Sequence, residues 1–153
     1  MTSVDMGSIL HVDDEAPMRK AMAMLLSSAE YQVTSASNGR SALDLVAAGL
    51  CPDVLILDFH LGDEMDGADL AQRLRCELGY SPPIIMLTGD ATGAESPWIV
   101  DTPIWLARKP LDAQLCLAAL PGLVLLSRAI RDHQRRITSA TAQELHRLKH
   151  GEH

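Results

Sequence analysis

Four apolar runs of strand length and one alternating run recur along the first two thirds of the chain, with helically spaced residues between most of them. Asp53-Val-Leu-Ile-Leu-Asp58 is the clearest. It is short, rich in Val, Ile and Leu, and has no polar alternation, which predicts a strand covered on both faces, as in a parallel sheet. Ser8-Ile-Leu-His-Val12, Pro83-Ile-Ile-Met-Leu87 and Ile104-Trp-Leu-Ala-Arg108 have the same character, and Tyr31-Gln-Val-Thr-Ser35 is a short alternating strand.

Between the strands the period changes. Pro17 suits a first helical turn, and Met18, Met22, Leu25, Leu26 and Ala29 follow at helical spacing. Asn38 can cap a helix with Ala42, Leu45 and Val46 on its inner face, closed by Gly49. Leu61 to Gly67 reads as a loop, and Leu70, Leu74 and Leu78 mark the next helix. Gly93 and Pro97 interrupt the span where a fourth helix is due, which predicts a short, irregular and poorly ordered segment over Ala91 to Val100. Leu111 to Leu120 supplies a further helix that Pro121-Gly122 should break or kink. Beyond it, Leu126, Ile130 and Ile137 with Arg128, Arg131, Arg135 and Arg136 form a basic amphipathic helix, interrupted by Thr138 to Thr141 and resumed at Leu145 and Leu148. Alternating strands and helices predict a doubly wound α/β domain over residues 1–121, with a basic helical extension or linker over 122–153.

Composition sharpens this picture. A chain of 153 residues fits one domain with one sizeable core. The sequence offers no apolar stretch read as long enough to span a bilayer, and the start lacks a basic region typical of a secretory signal. Cys51, Cys76 and Cys116 are odd in number and set in apolar contexts, which predicts reduced core thiols in a cytoplasmic protein. The net charge of −7 is uneven: residues from Gly122 onward carry +3 and the rest −10. Such an acidic body argues against nucleic-acid binding by the main domain.

Chemistry gathers at the strand ends. The first run leads into Asp13-Asp14, the third ends on Asp58, the fourth leads into Thr88 and the fifth into Lys109-Pro110. In a parallel sheet these ends share the carboxyl edge, where open α/β folds bind ligands. Three carboxylates, a hydroxyl and an ammonium suit a divalent cation and a phosphoryl group.

Together these residues resemble the receiver domain of two-component response regulators over roughly residues 8–120, with the flavodoxin-like five-stranded parallel sheet of that family. The stretch Asp58 to Gly67 is similar to receivers attached to hybrid histidine kinases. The resemblance implies that Asp58 is the phosphoacceptor, that Asp13, Asp14, Asp58 and the backbone carbonyl of His60 hold Mg²⁺, and that Lys109 and Thr88 contact the phosphoryl oxygens. It implies that Pro110 follows a cis peptide bond and that His60 and Asp90 tune loss of the phosphoryl group. The implied partner is a sensor histidine kinase or histidine phosphotransfer protein. One departure stands out: many receivers carry an aromatic residue three before the lysine, where this chain has Leu106, with Trp105 one residue earlier and expected on the opposite face.

Three rivals remain. A haloacid-dehalogenase-type phosphatase wants a second Asp two residues after the nucleophile, where this chain has His60. A nucleotide-binding module wants a G-x-G-x-x-G turn or a P-loop, and neither occurs. A receiver fold that no longer takes phosphate would not need all five residues. The tail's apolar stripe predicts packing on its own domain or, preferably, on a second copy in a homodimer.

Overall fold

The computed structural model describes residues 5–62, 65–89 and 104–151. Its elements run β1 (Ser8–Val12), α1 (Ala16–Ser28), β2 (Gln32–Ala36), α2 (Gly39–Ala47), β3 (Val54–Asp58), α3 (Gly67–Leu78), β4 (Ile84–Thr88), β5 (Ile104–Arg108) and α4 (Ala113–Lys149). The strands form one parallel sheet in the order β2-β1-β3-β4-β5. Chain order reverses between β1 and β3, so the ends of these two strands flank the crevice at which doubly wound sheets take ligands.

Side-chain alternation sends each strand into two cores. Leu10, Val12, Leu55, Leu57, Ile84 and Met86 pack under α2 and α3, whereas Ile9, Val54, Ile56, Ile85 and Leu87 pack under α1 and α4. Every residue of β3 and of β4 is buried, as expected of strands covered on both sides. Leu106 packs in the first core and Trp105 in the second, so Trp105 does not take the place of an aromatic at 106.

Local signals set the helix ends. Asn38 Oδ1 accepts the Ser41 amide, as expected of a cap. Asp66 and Asp69 form a reciprocal capping box at the start of α3, and Gly79 closes that helix in the left-handed conformation.

Several sequence expectations change. The chain runs through Pro121 and through 138–141 as one helix of 37 residues, without a break. Proline removes one backbone hydrogen bond and disfavours a helix interior, but Leu120 and Val124, on either side of it, are buried in the core. Packing therefore overrides the local preference. Of the thiols only Cys116 lies in the core, where burial pushes its pKa up to about 11; Cys51 and Cys76 are exposed, the latter on the outer side of α3. Contrary to the expectation from sequence, α4 contains an 18-residue window of mean hydropathy 1.7, long and apolar enough by composition alone to cross a membrane. Its Cys116, Leu120, Val124 and Ser127 stripe is instead buried against the sheet. The irregular fourth helix and Asp90 fall at 90–103, outside the described residues.

Candidate functional site at the carboxyl edge of the sheet

Asp58 ends β3 on a nearly closed floor: its side chain is 3% exposed. Oδ2 accepts a hydrogen bond from Lys109 Nζ at 2.8 Å, and Oδ1 accepts the His60 amide at 3.1 Å. Burial pushes the Asp58 pKa up, against the pull of the Lys109 hydrogen bond and charge and of the His60 amide. Burial works against the Lys109 ammonium, yet its hydrogen bond and attraction to Asp58, with the charges of Asp13 and Glu15, leave its pKa above the ordinary lysine value.

Asp13 and Asp14 follow β1 directly. Asp13 is buried and Asp14 exposed. Asp13 Oδ1 accepts the Glu15 amide at 2.9 Å, and Arg19 binds its main-chain oxygen at 2.8 Å. Asp13 Oδ2 is buried without a hydrogen-bond partner. Asp14 is not the cap of α1: Glu15 holds that position and no side chain caps it.

One carboxylate oxygen from each of Asp13, Asp14 and Asp58 lies within 4.8 Å of the others. Three acidic groups so close repel one another, and Lys109 is the one cation hydrogen-bonded to them among the described residues. An all-oxygen donor set with an unpartnered buried oxygen fits a small hard cation such as Mg²⁺.

Two elements hold the remaining groups in place. Thr88 ends β4, is buried, and its carbonyl accepts the Lys109 amide at 3.0 Å. The Lys109–Pro110 peptide is cis. Gly67 fixes the start of α3 against the site through its amide to the Phe59 carbonyl at 2.8 Å. A Cβ at Gly67 would stand 2.5 Å from the Asp58 carbonyl oxygen, so only glycine fits there. The His60 side chain is exposed and lies edge-on to the Phe59 ring, with centroids 5.0 Å apart. The described geometry thus brings Asp13, Asp14, Asp58, Lys109 and Thr88 to one edge and leaves the His60 ring outside.

Sequence reading missed His11. It is fully buried on β1, neither ring nitrogen has a hydrogen-bond partner, and Nε2 lies 3.9 Å from Asp13 Oδ2. Burial lowers its pKa to about 4; Asp13 opposes this, and the charges of Arg19 and Lys109 add to it. The available signal was a polar residue in a strand expected to be covered on both faces.

A parallel 2-1-3-4-5 sheet with an acidic cluster and a lysine at its carboxyl edge defines a receiver-type signalling domain. A family model, the response regulator receiver domain, matches residues 9–97, and the chain belongs to that family. Lys109 lies beyond the matched span. The phosphate regulon transcriptional regulatory protein PhoB of Pseudomonas aeruginosa is 44% identical over 82 residues, 53% of this chain and 35% of that protein. The chain thus spans about a third of the length of the curated relatives it matches. Among solved structures, the N-terminal domain of a response regulator/sensory box/GGDEF protein from Carboxydothermus hydrogenoformans superimposes with a TM-score of 0.70 at 26% identity, covering 80% of this chain and 97% of that one. The receiver domain of the hybrid histidine kinase CckA gives 0.65 at 27% identity, covering 77% and 99%.

Proposed function

We propose that this receiver accepts a phosphoryl group on Asp58 from a phosphohistidine donor, in a Mg²⁺-dependent step of a two-component phosphorelay. The observation that carries the reading is the buried Asp58 carboxylate, bound by Lys109 at 2.8 Å and clustered with Asp13 and Asp14. Asp13, Asp14, Asp58 and the His60 backbone carbonyl would hold the metal. When bound, the cation neutralises the charge on the transferring oxygens.

The chain's own residues supply the rest. An Asp58 oxygen attacks phosphorus as the bond to the donor imidazole nitrogen breaks. The imidazole leaves with that electron pair, and Asp58 becomes an acyl phosphate. Lys109 moves its point charge from the carboxylate to the phosphoryl oxygens, and Thr88 donates its hydroxyl to one of them. Water later attacks phosphorus, restoring the carboxylate and releasing inorganic phosphate. The protein is on this reading a cytoplasmic phosphoacceptor rather than an enzyme with a substrate of its own, and its partner is a sensor histidine kinase or a histidine phosphotransfer protein.

We further propose that the free half of α4 pairs with a second copy. Ile137, Leu145 and Leu148 are 53, 55 and 68% exposed, an apolar stripe that needs a packing partner because most helical stability comes from packing of such a face. The basic face of the helix, with Arg135 and Arg136, can then meet the acidic body of the second copy.

Incubation with acetyl phosphate and Mg²⁺ tests the main reading. Intact-mass spectrometry should show one labile phosphoryl adduct that chelation of the metal prevents and Asp58→Asn abolishes. An adduct that persists in Asp58→Asn would refute the assignment.

A further inference from the structure

A buried imidazole with two idle nitrogens is costly, because each polar atom has given up water for nothing. His11 bears that cost at 0% exposure, and it does so beside the one Asp13 oxygen that is also buried without a partner. The two unpartnered groups face each other, His11 Nε2 lying 3.9 Å from Asp13 Oδ2. The other Asp13 oxygen is already held by the Glu15 amide, and the Asp13 carbonyl by Arg19.

We infer that His11 is a positioning residue for the metal cradle: its Nε2–H points at Asp13 Oδ2 and fixes that carboxylate for the cation. The inference rests on the metal-dependent reading above. Which ring nitrogen carries a proton is set by the partner it faces, and Nε2 faces Asp13. Ligand carboxylates depend on such outer hydrogen bonds for their orientation, and loss of one lowers metal affinity by about 10- to 100-fold. Arg19, Lys109 and Asp13 are the charged groups acting on the ring, and none is hydrogen-bonded to it. Asp13 alone is an acceptor.

The test uses the full chain. Imidazole ¹⁵N NMR of the metal-free protein should show the Nε2–H tautomer of His11, and Mg²⁺ should shift that nitrogen. Calorimetric titration with Mg²⁺ should give about tenfold weaker binding in His11→Val, with recovery in His11→Gln, whose amide can donate in place of the ring. Metal-free His11→Val should melt no lower than wild type, since an unsatisfied polar group has been removed from the core. A purely structural histidine would show the reverse: a lower melting temperature and unchanged Mg²⁺ affinity. An Nδ1–H tautomer, or equal affinity in His11→Val, overturns the assignment. Wild-type protein that binds no Mg²⁺ overturns the functional reading instead, while the metal-free tautomer still decides whether His11 is aimed at Asp13.

Discussion

Arg131, on the sixth turn of α4, forms an ion pair with Asp53, the residue just before β3, and ties the long helix to the amino edge of the sheet. Asp53 is buried and also accepts the Ser8 amide at 2.9 Å, with Arg128 3.6 Å away. The Arg131 guanidinium lies 4.6 Å from the Tyr80 ring centroid, and the Tyr80 hydroxyl donates to the Pro52 carbonyl at 2.7 Å. Removing one partner of a buried pair leaves the other uncompensated, at about 3–5 kcal/mol. Arg131→Ala should fall at or below the low end, because Asp53 retains the Ser8 amide and Arg128. Urea unfolding checks this, and a change within error would show the anchor to be idle.

His11 makes stability depend on acid pH. Its pKa is near 4 in the folded chain against an ordinary 6.5. Between those values the unfolded chain binds the proton and the folded chain does not, so stability is lost as pH falls from 6.5 towards 4. The loss amounts to about 3 kcal/mol at most. The raised Asp58 pKa acts in the opposite sense, costing stability as pH rises out of the ordinary carboxylate range. The difference between wild type and His11→Val isolates the histidine. The advantage of the variant should widen as pH drops, and a gap that stays constant from pH 7 to 4 would contradict the shift.

Gly67→Ala should disturb the site from outside it. The added carbon would meet the Asp58 carbonyl oxygen at 2.5 Å and Phe59 Cα at 2.9 Å, both backbone atoms that cannot swing away. Overpacking of this kind costs about 1–3 kcal/mol. The same displacement should slow phosphorylation of Asp58 by acetyl phosphate. Wild-type stability together with wild-type rate would show that α3 yields freely.

Truncation tests the free half of α4. Asp132 to Lys149 is exposed apart from the half-buried Gln134, about 27 Å of helix. Ending the chain after His133 keeps Val124, Ser127 and the Arg131 anchor. Light scattering should give twice the chain mass for the full protein and the monomer mass for the shortened one. A monomer mass for both would leave no role for α4 in pairing.

Much of this was legible because strand ends carry the chemistry. The five strands lie within a residue or two of the apolar runs, and the Asn38 cap was readable from one side chain. What was not legible depended on partners distant in sequence. Pro121 reads as a helix breaker until Leu120 and Val124 are seen buried against the sheet. Apolar neighbours placed Cys51 and Cys76 in the core, but on α3 the side facing the sheet is taken by Leu70, Ala71 and Leu74. His11 was hidden for the opposite reason: a strand covered on both faces has no polar side to which a histidine would be assigned.

Because α4 is unbroken, it can act as a rigid beam. It begins after Asp112, three residues from Lys109, and is pinned near its middle by Arg131. The two arms on either side of that pin are each about 27 Å long. The near arm is gripped by the core through Cys116, Leu120, Val124 and Ser127, whereas the far arm is exposed apart from Gln134. The far arm therefore stands out from the domain by its own length, in a direction set by where the core grips the near one.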